Sequence, residues 1–351
     1  MTEKDPGNAL PVRDIRSFLP EDLAQVCAEA GEKPYRAGQL FDWLHGKEAA
    51  SYEEMLNLPK RFREYLEDHF PFSVPSVRAR QQSRIDGTVK FLFEYPDGAL
   101  VESVLMKYKH GWSLCISTQV GCRMGCRFCA STLNGWLRNL SAGEMLGEVY
   151  AAGRSEDVRI SNVVLMGTGE PLDNYDAVVR FIKLLTHPDG KNISGRNIAV
   201  STCGLVPEIR RLAEEELTIA LALSLHAPND EIRQQTMPVA KRWSMEETLS
   251  AMKYYAGRSG RRVTFEYALI KGVNDSDENA RELAARLKGI PCLVNLIPVN
   301  PVAERGLSAP EGAAVARFKK SLEKYRMNVT IRRELGRDID GACGQLRRRY
   351  F

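Results

Sequence analysis

Six short apolar runs recur at near-regular spacing through the C-terminal two-thirds of the chain. They read "LCISTQ", "NVVLMG", "NIAVST", "TIALALSL", "VTFEYALI" and "CLVNLIPV". Between them lie stretches with helical spacing of apolar residues: "SAGEMLGEVYAAG", "YDAVVRFIKLL", "VPEIRRLAEEE", "SMEETLSAMKYYAG" and "DENARELAARLKG". Parallel neighbours need a crossover of a dozen or more residues, which is what each helical stretch supplies. The alternation therefore implies a parallel α/β sheet, as an open doubly wound sheet or a partial barrel. A further strand, "MNVTIRR", precedes the C-terminal tail.

The region upstream has a different pattern. "DIRSFLPEDLAQVCAEAG", "YRAGQLFDWLHG" and "SYEEMLNLPKRFREYLEDHF" space their apolar residues as helices do. "TVKFLFEYPDGALVESVLMKY" reads as two strands joined by a turn at "PDG". The expected organisation is a helical domain over residues 1–73, a β-hairpin extension over 74–111, and an α/β core over 112–351 that carries the tail. At 351 residues with 44% hydrophobic content, the chain can bury a substantial core.

The densest chemical signal is "GCRMGCRFCAS", which places Cys122, Cys126 and Cys129 at C-x3-C-x2-C directly after the first core strand. Electron-transfer [4Fe–4S] clusters use four cysteines, and structural zinc closes with four ligands. Three close cysteines leave one iron open to a substrate; zinc with a distant fourth ligand is the competing reading. Polar groups follow the other strands, at the end where α/β proteins gather ligands. "LMGTGEPLDN" gives Gly167, Gly169, Glu170 and Pro171; "VSTCG" gives Ser201; "LSLHAPND" gives Ser224 and His226; "NLIPVNPV" gives Asn295 and Asn300. Singly these read as turns and structural polar residues. Together they form a polar rim beside the cysteines.

C-x3-C-x2-C is the signature of the radical S-adenosylmethionine (SAM) superfamily. The wider set "VESVLM", "CISTQVGCRMGCRFCAS", "MGTGEPLDN", "VSTCG", "LSLHAPND", "IPVNP" and "DIDGACGQL" resembles the RlmN/Cfr family of RNA adenine methyltransferases, in order and spacing. The resemblance implies a radical SAM partial (β/α)6 barrel with a small N-terminal helical domain. It implies one [4Fe–4S] cluster on Cys122, Cys126 and Cys129, and SAM contacts from Gly169, Glu170, Ser201, Ser224, Leu225, His226 and Asn300. It implies C2 methylation of adenosine 2503 in 23S rRNA and adenosine 37 in tRNAs, at a cost of two SAM per methyl. Cys343 matches the family's methyl-accepting cysteine, Cys115 its resolving cysteine and Glu102 its proton acceptor. C8 methylation of the same rRNA adenosine is the nearest alternative; Pro171 in "GEPL" favours C2. A non-catalytic iron–sulfur or zinc RNA-binding protein is the remote one.

Without the resemblance, Cys115 would pass as a core thiol; Cys27 and Cys292 read as packing, and Cys203 gets no role. Glycines flank "ACG" around Cys343, as suits a loop that carries a sulfur to a bulky base. Net charge is +4, but basic residues bunch in "PKRFREY", "SVRARQQSRIDG", "GRSGRR", "TIRRELGRD" and "LRRRYF". Such clusters favour a phosphate-rich partner. The helical domain and the basic tail are the expected RNA-gripping surfaces, and the target base must be unstacked to be reached. "MTEKDPGNALPVRD" lacks the apolar run of a signal peptide, and no segment has the roughly 20 apolar residues of a membrane span. The expectation is a cytoplasmic monomer, off the membrane, that draws electrons from a flavodoxin or ferredoxin.

Overall fold

The computed structural model describes residues 14–346. The described residues open with three α-helices, α1 (Pro20–Glu29), α2 (Tyr35–Phe41) and α3 (Lys60–His69). Four antiparallel strands follow: β1 (Ser76–Gln82), β2 (Val89–Glu94), β3 (Leu100–Tyr108) and β4 (Gly111–Ile116). A short antiparallel pair, β5 (Gln119–Gly121) and β6 (Trp136–Asn139), then frames the cysteine loop.

The alternating region begins at β4 and runs through α4 (Ala142–Glu156), β7 (Ile160–Leu165), α5 (Tyr175–Thr186), β8 (Ile198–Thr202), α6 (Val206–Leu212), β9 (Ala220–Ser224), α7 (Asp230–Thr236) and α8 (Met245–Ser259). It ends with β10 (Val263–Leu269), α9 (Asp277–Leu287), β11 (Cys292–Pro298), α10 (Gly312–Lys324) and β12 (Val329–Ile331). All strands except β5 and β6 join one sheet, in the order β1-β2-β3-β4-β7-β8-β9-β10-β11-β12. From β4 to β12 every pairing is parallel. Helix starts follow local chemistry: Ser141 and Ser244 each accept a hydrogen bond from the backbone N–H three residues on, and Glu144 and Glu247 return it.

The sheet is strongly curled. Met166 follows β7 and Arg332 follows β12, five strand steps apart. A flat sheet would separate those strands by roughly 24 Å at ~4.8 Å per step, yet Arg332 Nη1 donates to Met166 Sδ at 3.7 Å. Because β1 and β12 do not pair, the sheet is an open, partial barrel. Its convex side packs Leu114, Val163, Val200, Leu223, Phe265 and Val294 into the main apolar core. The intervening residues, among them Cys115, Asn162, Ser201, Ser224 and Glu266, line the concave cavities. Parallel sheets ordinarily bury apolar side chains on both faces; here one face is given over to polar groups.

Two features differ from the sequence expectation. The "PDG" turn does join β2 to β3, but the hairpin is not a separate extension. β1 adds to one side, from the basic stretch "SVRARQQ", and β3 pairs with β4 on the other, making one continuous sheet. An exposed edge strand with alternating arginines has no apolar face to reveal it. Helices α7 and α10 lie outside the helix-like stretches, since "DEIRQQT" has no apolar stripe and α10 buries only Val315, Phe318 and Leu322.

The helical domain is held by a buried polar joint. Asp14 accepts from Ser141 Oγ at 3.0 Å, and Ser17 Oγ accepts from Gly143 N at 2.8 Å. Arg16, fully buried, donates to Ala49 O at 2.6 Å and lies over the rings of Phe72 and Tyr150. Burial pushes the Asp14 carboxyl up to about 6.

Candidate functional site

The cysteine loop is fixed at its neck by close backbone approach. Gly121, with φ at +88°, lies so near the Gly135 carbonyl that no side chain fits there. Beyond this neck Cys122, Cys126 and Cys129 line one cavity with Gly169, Glu170, Ser201, Ser224 and His226, enclosing about 830 Å³. Gly169, at φ +110°, presses its backbone on Gln119, where a Cβ would fall 2.7 Å from the Gln119 Cβ.

The cavity's polar groups are already partly committed. The Glu170 carboxylate accepts from Cys203 N at 2.7 Å and Leu172 N at 3.0 Å. Burial nonetheless raises its pKa. Ser201 Oγ and Ser224 Oγ are 3.3 Å apart. His226 accepts at Nδ1 from Ala268 N at 2.9 Å, and burial, with Arg233 nearby, drops it to about 3. It is a neutral ring with its free N–H on Nε2. The ring stands edge-on to Phe128, which lies between the second and third cysteines.

The donor set fits an iron–sulfur cluster better than zinc. Among the described residues, no three His, Cys, Asp or Glu groups converge on a single ion. A cuboidal cluster binds each thiolate at a separate iron, so its ligands stand apart. Arg233, fully buried, donates to Cys203 O at 2.6 Å while its Nη1 has no partner. Its charge interacts with Cys126, so an anionic group there would satisfy it. Burial pushes the Cys122 thiol up to about 12 and raises Cys126 and Cys129; metal binding would draw those protons off.

A second cavity, about 670 Å³, adjoins the first and contains Cys115, Val104, Met106, Tyr108, Asn300 and Cys343. Met166, Ile297, Arg332, Cys343 and Leu346 line both. Cys343 is exposed, whereas burial pushes Cys115 up to about 12. Arg332 opposes that rise. Burial alone would lower Arg332, but Cys343, Glu266 and Cys115 around it outweigh the loss and raise it.

The tail carrying Cys343 is tied from several sides. Ala130 N, just past the cysteine motif, donates to Gly344 O at 2.7 Å, and Ser131 Oγ to Leu346 O at 2.8 Å. Asn300 Nδ2 donates to Cys343 O at 2.9 Å. Ser83 Oγ and Arg84 N, in the β1–β2 turn, donate to Asp338 at 2.6 and 2.9 Å.

Sequence reasoning and geometry part at two residues, Asn300 and Leu225. Asn300 faces the second cavity and holds the tail; it does not line the cysteine cavity. Leu225 is fully buried in the core, with only its backbone, accepting from Arg233 Nε, near the cavity. Glu102 is buried and paired with Lys90 at 3.4 Å, on the β3 face shared with Val104 and Met106. Arg332, Arg233 and Met166 were not nominated from the sequence. Arg332 gave only a basic run as signal, and Arg233 lay in a polar helix. The basic tail beyond Leu346 lies outside the described residues.

Comparison with known proteins follows the same lines. Residues 116–284 match the Radical SAM superfamily, and residues 14–71 match the Ribosomal RNA large subunit methyltransferase N-terminal domain. A relative from Lachnoclostridium phytofermentans, named probable dual-specificity RNA methyltransferase RlmN, is 54% identical over 96% of this chain and 95% of its own. One of the same name from Pelotomaculum thermopropionicum is 52% identical over 98% of this chain and 93% of its own. A crystal structure of a radical SAM methyltransferase from Sphaerobacter thermophilus superposes with a TM-score of 0.92 at 42% identity, covering 96% of this chain and all of that one.

Proposed function

This chain belongs to the RlmN family of radical SAM RNA methyltransferases, and on that premise we propose that it methylates C2 of adenosine 2503 in 23S rRNA and of adenosine 37 in tRNAs. The observation that carries the reading is the position of Cys343 on the wall shared by the three-cysteine cavity and the Cys115 pocket. Only a residue at that junction can receive a group on one side and deliver it to RNA on the other.

The family's cofactors are a [4Fe–4S] cluster and SAM. Cys122, Cys126 and Cys129 would hold the cluster, and Gly169, Glu170, Ser201, Ser224 and His226 would hold SAM. When bound and reduced, the pair supplies a 5′-deoxyadenosyl radical. C2 of adenine carries no acidic proton and is electron-poor, so it does not attack a methyl cation equivalent. Cys343 solves this by taking the methyl first, as a thiolate, from one SAM. Its S-methyl group then gives up a hydrogen atom, and the methylene carbon bonds to C2, tethering RNA to protein; the adduct's unpaired electron would return to the oxidised cluster as the C2 proton leaves. Glu102 takes the C2 proton. The Cys115 thiolate attacks the Cys343 sulfur, the sulfur–methylene bond breaks with its electron pair on carbon, that carbon takes up a proton to become the methyl group, and a Cys115–Cys343 disulfide remains. The half-buried Arg332 cation lies near both sulfurs and opposes the burial that raises the Cys115 thiol.

The electron donor is a flavodoxin or ferredoxin, and the enzyme works as a cytoplasmic monomer. Among the described residues no helix is long and apolar enough to cross a membrane. The N-terminal helices and the basic tail grip RNA outside the pocket. Nucleoside mass spectrometry of RNA treated with the reduced enzyme tests the reading. 2-Methyladenosine is expected; 8-methyladenosine would move the assignment to the Cfr-type reaction, and unmodified RNA would remove it.

A further inference from the structure

The Cys115 pocket does not end at Cys115. A groove of about 620 Å³ continues from it, with Met106, Tyr108 and Arg332 lining both. The added walls are His110, Ser113, Asn162, Arg196 and Asn197 with small apolar neighbours. The groove lies toward the starts of the core strands, away from the cysteine loop. Ser113 and Cys115 share one face of β4, so it begins about 7 Å below Cys115, at two residues of strand rise.

Its composition is unusual for a barrel floor. The β3–β4 connection is a two-residue turn, since Tyr108 pairs with Gly111. That turn sets the Tyr108 and His110 rings parallel, with centroids 5.2 Å apart and planes at 12°. The Tyr108 hydroxyl donates to Met106 Sδ at 3.7 Å. His110 is exposed, and so are Lys109 and Arg196. The turn is seated on the start of β7, where Ser161 Oγ donates to Trp112 O at 3.2 Å. An aromatic surface, exposed cations and side-chain amides are the chemistry that holds an unstacked nucleotide.

We propose that this groove is a subsite for a nucleotide adjoining the target adenosine. The base stacks on the Tyr108–His110 pair, Arg196 and Lys109 meet its phosphate, and Asn162 and Asn197 face its edge. The proposal rests on the RNA-methylation reading. A base drawn out of its stack leaves its neighbour without a partner, and a second stacking surface offsets that loss.

The test is a cycle between enzyme and RNA. An RNA hairpin carrying the target adenosine is made with an abasic site on its 5′ side, on its 3′ side, or on neither. Affinity is measured by fluorescence anisotropy for the parent enzyme and for His110→Ala, Tyr108→Ala and Tyr108→Phe. With the parent, one abasic RNA should bind about ten-fold more weakly, the scale of one lost base–aromatic stack. Against Tyr108→Ala the same abasic site should cost nothing more, and Tyr108→Phe should behave as the parent. Arg196→Ala should weaken all three RNAs alike and flatten the salt dependence. Losses that multiply in the Tyr108→Ala and abasic combination, or no loss at either abasic site, would overturn the subsite. Methyl loading of Cys343 from SAM without RNA, read by intact-protein mass spectrometry, reports whether each variant keeps its site folded. If the parent enzyme leaves RNA unmethylated, the broader reading fails instead.

Discussion

The two cavities that meet at Cys343 are built in opposite ways. The three-cysteine cavity takes its thiols from a single loop, closed at its neck by Gly121 and Gly135, and completes its rim with residues at or just past the ends of β7, β8 and β9. The Cys115 pocket draws on β3, β4, the end of β11, the residues after β12 and the C-terminal tail. The first would survive small shifts of the sheet, because its ligands move together. The second exists only while the sheet stays curled and the tail stays tied to Ala130, Ser131 and Asn300. The proposed reaction needs both, since Cys343 faces the two at once.

The largest expected effect falls on the local cavity. Replacing any of Cys122, Cys126 or Cys129 by alanine should abolish 5′-deoxyadenosine formation while circular dichroism stays near that of the parent. Retained SAM cleavage under reduction would break the division of labour between the cavities.

The relay cysteines should fail in different ways. Cys115→Ala can still accept a methyl at Cys343 and add to RNA but cannot let go, so a nuclease-sensitive protein–RNA adduct should accumulate on denaturing gels. Cys343→Ala, and the double variant, should show none. Loss of activity in Cys115→Ala with no adduct would return Cys115 to the core.

Arg332 sharpens the comparison, as a cation facing both sulfurs. In Arg332→Met the Cys115 thiol loses the charge that opposes its burial, so its pKa rises further. Turnover should fall by about ten-fold or more, because each tenfold loss of thiolate costs about 1.4 kcal/mol. The rise of rate with pH should move to higher pH. An unmoved pH profile would make Arg332 a packing residue.

The smallest effect lies behind the junction. Glu148 on α4 accepts from Ser117 N at 3.1 Å and from Ser103 Oγ, and its other oxygen has no partner. Burial pushes it up to about 8. An acid raised in the folded state contributes stability that is whole below its unfolded value near 4.5 and is lost as pH climbs toward 8. The parent should lose up to about 1.4 kcal/mol per pH unit across that window, and Glu148→Gln should lose less. Denaturant melts at pH 5 and pH 8 check this; identical pH dependence in the two proteins would refute it.

The sequence by itself determined whatever is carried by neighbours along the chain. The alternation of apolar runs and helical stretches gave the parallel core, and C-x3-C-x2-C marked the cavity's thiols. The resemblance nominated Cys343 and Cys115, but their meeting is a fact of the third dimension. Cys343 reaches Cys115 across more than two hundred residues because the sheet curls by several strand steps and the tail crosses its mouth. The same curl brings Arg332 onto Met166, converts a nondescript basic run into the pocket's cation, and turns Asn300 from the cysteine cavity to the tail. A two-residue turn joins β3 to the core and sets the Tyr108–His110 pair at the floor of the same channel. Strand order and curvature depend on contacts between residues far apart in sequence, summed over a whole face of the sheet. No short window contains that sum, so only the folded structure decided which side chains face one another.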